Sequence, residues 1–213
     1  MKARQKNIST IHRYLDEAGD TTFFGKGKAN IVGQNGVSKC FILGLVKFKE
    51  PLQEVRDKVV ALQTKVCQDP YFNEVPSIQK KISKGGYYFH ATDDVPEVRK
   101  LFYDYIKSID CSFEAVVGRK IMSIYTNKHN GKEAEFYADL LSHLIKNKLN
   151  KGGKLILDIA SRGNSTKNYN LQTALQKAIS RNSRKGKHAA TKVVFNVQNH
   201  STEPLLNVSD YFC

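Results

Sequence analysis

The sequence predicts an α/β protein: five strands with helices between them, in one domain that carries a helical insertion over residues 51–110. Three observations predict it. Five short segments carry the alternating or continuous apolar pattern of strands. The stretches between most of them carry apolar residues at helical spacing. No repeat and no linker divides the 213 residues, a length that suits one domain with a sizeable core.

The first strand is read at Ile11-His12-Arg13-Tyr14-Leu15-Asp16, which alternates and runs into a turn at Gly19. Residues 20–38, rich in Gly, Lys and Asn, read as a loop or ragged hairpin. The apolar run Cys40–Val46 reads as a buried second strand. After Pro51 the spacing of Leu52, Val55, Val59, Leu62 and Val66 is helical, and residues 69–86 read as irregular because Asp69-Pro70, Val75-Pro76 and Gly85-Gly86 break them up. Tyr87–Ala91 is a short extended piece. Asp93 or Asp94 can cap the following helix, which has Pro96 near its first turn and runs through Ile106. Ser112–Gly118 alternates as a third strand, Lys132–Leu149 is a long helix, and Lys154–Ile159 is a fourth strand. Leu171–Ile179 reads as a helix, Arg181–Lys187 as a basic loop, Lys192–Val197 as a fifth strand and Leu205–Phe212 as a last helix opened by Pro204.

Composition narrows the function classes. Lys and Arg number 34 against 20 Asp and Glu, a formal net charge of +14 that favours polyanionic partners. From Ile159 to Thr202 there is no acid at all, while Arg181, Arg184, Lys185 and Lys187 cluster there. Acids are excluded as well as bases enriched, so this stretch is the expected nucleic-acid footprint, on DNA or RNA; a solvated basic surface is the plainer alternative. No apolar run is long enough for a membrane span or signal segment, so the expectation is a cytoplasmic protein without a membrane partner. Cys40, Cys67, Cys111 and Cys213 form no Cys-x-x-Cys pair and read as small buried hydrophobes. There is no phosphate-binding P-loop, no His-Glu-x-x-His and no Gly-x-Ser-x-Gly elbow, and Gly25-Lys26-Gly27 lacks the third Gly of a dinucleotide fingerprint.

With the insertion set aside, the element order resembles that of ribonuclease H-like proteins. The resemblance implies a mixed five-stranded sheet flanked by helices: a three-strand antiparallel meander, two strands reached through helices, then a terminal helix. It also implies four acids converging on one site. The sequence offers Asp16 at the end of the first strand, Glu135 (or Glu133) in the first turns of the 132–149 helix, Asp158 near the end of the fourth strand, and Asp210 on the last helix. Hard oxygen ligands of this kind suit Mg²⁺ or Mn²⁺, and close carboxylates repel one another unless a cation lies between them. Each acid also has a local reading. Asp16 and Glu17 before Gly19 suit a turn, and Glu135 and Asp210 suit a solvated helix face. Asp158 lies within an apolar strand, where a carboxylate is costly unless paired or metal-bound.

Asp16-Glu17-Ala18-Gly19 is similar to the Asp-Glu-Ser-Gly signature of an uncharacterised family, domain of unknown function 3800. Phe89-His90-Ala91 and Glu203–Tyr211 resemble that family's middle and closing motifs, with Ala18 in place of Ser and Asn207 in place of Gln. The resemblance implies a ribonuclease H-like nuclease, in some cases associated with prokaryotic anti-phage defence. The family continues its last helix beyond the Asp, which implies either a shortened member or a second protein chain that completes the helix. His90 is the candidate proton carrier or phosphate contact, Lys120 a candidate phosphate ligand, and Glu17 a secondary acid because a regular strand turns it to the opposite face. The expected function is metal-dependent phosphodiester cleavage. The rival is a catalytically inactive module of the same shape that binds nucleic acid or a partner.

Overall fold

Neighbouring residues of a strand point to opposite faces, and Tyr14 and Leu15 are both fully buried, so the first strand must be covered on both sides. The computed structural model, which describes residues 9–34, 36–149, 153–161, 165–183 and 191–213 with the side chains of 165–170 and 181–183 set aside, shows how. Five strands form one open mixed sheet: β1 (Thr10–Gly19), β2 (Cys40–Phe48), β3 (Cys111–Arg119), β4 (Lys154–Ala160) and β5 (Lys192–Gln198). Their order is β3-β2-β1-β4-β5, with β1 in the middle. The β1–β2 and β2–β3 pairs are antiparallel, and the β1–β4 and β4–β5 pairs are parallel.

Four helices make the insertion: α1 (Leu52–Gln68), α2 (Pro70–Asn73), α3 (Pro76–Ser83) and α4 (Pro96–Ile106). After β3 come α5 (Met122–His129) and α6 (Glu133–Ile145); α7 (Ser165–Ser183) follows β4, and α8 (Leu205–Phe212) follows β5. Leu15 packs with Leu43 and Leu157 of the sheet and with Leu141, Ile145, Leu175 and Ala178 from α6 and α7. Tyr14 packs on the other face with Val55 and Val59 of α1, Phe102 of α4 and Leu206 of α8. The insertion and the last helix therefore share one core. Arg56 of α1 ties them together: its guanidinium donates to Glu203 just before α8 and, at 2.9 Å, to the Tyr14 hydroxyl.

The structure differs from the sequence expectation in four places, the last of them the burial of the cysteines. Residues 69–86 hold two short helices, because each proline that reads as a breaker also suits a first helical position. Asp69 caps the first of them by accepting from Tyr71 N at 2.9 Å. α5 has no apolar stripe, since Ile124 is exposed while Tyr125 beside it is buried; Asn130, at φ 54°, ends it in the left-handed conformation. β1 runs three residues past Asp16, because β2 continues to pair with it from Leu43 to Phe41. The four cysteines are free and only partly buried. No described helix is long and apolar enough to cross a membrane.

Candidate metal centre

Asp16 shares a face of β1 with Tyr14, the face that α8 crosses. Leu205, Leu206 and Val208 are fully buried against this side of the sheet, which sets the rotation of α8 and turns Asp210 toward Asp16. Two contacts hold the helix to the strand: Ser209 Oγ donates to Tyr14 O at 3.3 Å and Cys213 Sγ to Asp16 O at 3.5 Å. The approach needs Gly44 on β2, opposite Asp16. A Cβ there would lie 2.2 Å from Cys213 Sγ and 2.7 Å from the Phe113 ring. Gly44→Ala is expected to cost about 1–3 kcal/mol of overpacking, read as a lower denaturation midpoint with an unchanged slope.

The insertion and the loop after β5 complete the cluster. Asp210 Oδ2 accepts from Ala91 N at 2.6 Å, and His90 Nε2 lies 4.0 Å from Asp210 Oδ1. His200, in the turn between β5 and α8, places Nε2 2.8 Å from Asp16 Oδ2. Asn207, fully buried on α8, organises both approaches. Its amide donates to His200 O at 2.8 Å, and its carbonyl accepts from Phe89 N at 2.7 Å. One donor atom each from Asp16, His200 and Asp210 lies within 4.8 Å of the others. Donors that share one small divalent ion at about 2.1 Å lie at most about 4.2 Å apart. The set therefore fits one ion after side-chain shifts of a fraction of an ångström that open the contact between His200 and Asp16.

Asp16, Glu17, Asp20, His90, His200 and Asp210 line an open cleft of about 260 Å³. Burial disfavours the His200 imidazolium, but the carboxylates of Asp16 and Asp210 outweigh it and its pKa is raised. Asp210 is raised as well: burial leads, Asp16 adds to it, and His90 and the Ala91 amide oppose it. Two carboxyl groups and an imidazole thus meet at one spot, an arrangement that suits a divalent cation.

Two of the four expected acids lie outside this cluster. Asp158 faces the same side as Asp16 but is level with Tyr14, two residues further back. Its Oδ1 accepts from Asn196 Nδ2 at 3.0 Å and Gln198 Nε2 at 2.7 Å, and Oδ2 is 3.8 Å from His12 Nδ1. The next step along β4, level with Asp16, brings Ala160 to the cleft. Glu135 is ion-paired with Lys177 of α7, and Glu133 accepts from Thr21 Oγ1 at 2.6 Å.

Lys120 is a correction to the expected phosphate ligand. Its side chain is fully buried, and Nζ donates to Asp20 Oδ1 at 2.7 Å and Thr22 O at 3.1 Å. The loop after β1 folds back over it, so the lysine anchors that loop and does not reach solvent. Burial raises the Asp20 pKa, but Lys120 and Ser38 lower it more, to about 2. The depressed value sets the sign of the pH dependence. Asp20 contributes stability that is fully present above its ordinary 3.8 and is lost as pH falls through about 2. The stability gap between the wild type and Asp20→Asn is expected to narrow over that window when unfolding is followed against pH. At neutral pH the variant is expected to lose about 2–3 kcal/mol, below the figure for a fully buried pair because Asp20 is one-third exposed.

Arg181 closes α7 with its side chain outside the described residues, and Arg184, Lys185 and Lys187 lie outside them altogether. His200 is the residue that sequence reasoning missed. It stands alone among polar turn residues, and nothing in its spacing marks it; only the fold joins it to Asp16.

No protein-family model and no curated protein matches the chain.

Proposed function

We propose that the protein is a divalent-metal-dependent nuclease with a ribonuclease H-like arrangement of its sheet, in which Asp16, His200 and Asp210 hold the ion. The observation that carries this reading is the meeting of those three donors in an open cleft on the central strand. The sheet order and directions agree with the order of elements that first suggested the fold. The +14 charge favours a polyanionic substrate.

A bound divalent ion supplies Lewis-acid polarisation of a phosphodiester and a more acidic water. The chain's own residues do the rest. Asp16 and Asp210 set the negative charge of the site, and Asn207 and the Ala91 amide fix where His200 and Asp210 point. His90 is one-third exposed beside Asp210 and is placed to take a proton from water or return one to the leaving oxygen. His200 adds nitrogen to a carboxylate set, which suits Mn²⁺ better than Mg²⁺. With Asp158 and Glu135 engaged elsewhere, the described donors support one ion and not a carboxylate-bridged pair. The same observation favours the second reading, a binding module without turnover.

The test is incubation of purified protein with labelled single- and double-stranded DNA, RNA and hybrid, in Mn²⁺, in Mg²⁺ and in chelator. Cleavage in Mn²⁺, slower in Mg²⁺ and absent in chelator, is the expected result. Binding without cleavage of every substrate would favour the module.

A further inference from the structure

Beside the metal centre the insertion forms a second, larger groove of about 460 Å³. That is within the range of a nucleotide-sized ligand. Its walls come from α3, the Lys84–Tyr88 segment and the turn after β5. The groove adjoins the cleft through two contacts. The Tyr88 ring stacks on the His200 imidazole at 6.0 Å between centroids and 20° between planes. Asp93, on the groove wall, lies 3.6 Å from His90.

The walls carry three lysines and an aromatic platform against one acid, Asp93. Lys80 and Lys84 are exposed on the rim and have no ion-pair partner among the described residues. Lys81 is different: it is buried, neutralised by Asp94 at 2.9 Å, and sits 4.9 Å over the Tyr88 ring. It also donates to Tyr88 O at 3.0 Å, which ties that residue to Asp94. Tyr88 is half-buried and open to the groove. Gly85 and Gly86 have φ of 121° and 125°, values that L side chains rarely adopt, and a Cβ on either would meet nothing within 4 Å. The rim there is bare backbone in a conformation that keeps glycine, so a ligand can approach without side-chain obstruction.

We infer that this groove is the track for a single-stranded segment of nucleic acid entering the cleft, with a base against Tyr88 and backbone phosphates on Lys80 and Lys84. Unstacked bases on an aromatic ring beside lysines are the recurring mode of single-strand binding. A duplex keeps its bases stacked and leaves the Tyr88 platform unused. The inference rests on the nuclease reading for its biological purpose, but its test does not require turnover.

The experiment is fluorescence anisotropy in chelator, with labelled single-stranded DNA and RNA oligonucleotides, a blunt duplex and poly-glutamate, over a range of salt. Wild-type protein is expected to bind the single strands more tightly than the duplex. Tyr88→Leu should weaken single-strand binding about tenfold, and Tyr88→Phe should restore it. Lys80→Ser with Lys84→Ser should reduce the slope of log affinity against log salt by about 1.4. These lysines are exposed, so their variants are expected to keep the wild-type unfolding midpoint, and Tyr88→Phe controls for folding at the ring. Single-strand affinity and salt slope unchanged in both the Tyr88→Leu and the lysine variants would overturn the inference. So would equal preference for duplex, or poly-glutamate binding that depends on the lysines but not on Tyr88. Loss of cleavage activity in every preparation would count against the nuclease reading and leave the binding result standing.

Discussion

Asp16→Asn is expected to abolish metal-dependent cleavage while leaving the protein folded. Asn nearly matches Asp in shape and still offers an oxygen to His200. It removes the charge that a divalent ion needs and that raises the His200 pKa; without it the effect of burial, which lowers that pKa, gains weight. Replacing a group that only supports a metal ligand commonly costs about 10- to 100-fold, so loss of a ligand carboxylate is expected to exceed about a hundredfold in turnover. A hundredfold corresponds to about 2.7 kcal/mol of transition-state stabilisation. The measurement is kcat on the best substrate in Mn²⁺, with the unfolding midpoint taken on the same preparation. Equal cleavage by the wild type and the variant would remove Asp16 from the site.

Asp94→Ala is expected to be the most destabilising single change, at about 3–5 kcal/mol. Asp94 is buried within the insertion and accepts four hydrogen bonds. Lys81 Nζ and the Tyr87 hydroxyl donate to Oδ1, each at 2.9 Å. His90 N and the Tyr211 hydroxyl donate to Oδ2, each at 2.7 Å. Alanine leaves a buried ammonium without its counter-charge and three neutral donors without acceptors. Asp94→Asn would be only a partial remedy, since one oxygen replaces two and the new NH₂ group meets two donors. The consequences reach the metal centre, because two of the four donors are next to functional residues: His90 supplies its own amide, and Tyr211 follows Asp210. Urea or thermal unfolding gives the stability loss directly. A change within about 0.5 kcal/mol of wild type, as at an ordinary surface site, would contradict this account of the insertion.

The sheet was legible because each strand keeps either an alternating or a continuous apolar pattern between turn residues, and β1 needed both faces buried. Asp16 was legible for the same reason: an acid on the face it shares with Tyr14 stands out. Asp158 shows the limit. Alternation tells which face of β4 it occupies, but a parallel register can slide by two residues without moving any side chain to the other face. Only the pairing of Leu15 with Ile159 shows that Ala160, and not Asp158, comes level with Asp16. Glu135 failed for a related reason, since position in the first turn of a helix does not settle whether Lys177 on another helix will claim it. Lys120 read as a phosphate ligand because the loop that covers it has no periodic pattern. His200 was invisible because its partner is 184 residues away in the chain. Asp210 suited a solvated helix face equally well in the sequence, and the packing of α8 through Leu206, Ser209 and Cys213 is what turns it toward Asp16.

The most direct test of the central claim is a Mn²⁺ titration of the metal-free protein, read by calorimetry and by the loss of the free-ion paramagnetic resonance signal. The wild type is expected to take up one ion per chain, and Asp16→Asn and Asp210→Asn are each expected to lose that uptake while keeping the wild-type fold. Mn²⁺ uptake unchanged in both variants, or absent from the wild type at millimolar metal, would contradict the assignment of Asp16, His200 and Asp210 as a metal centre.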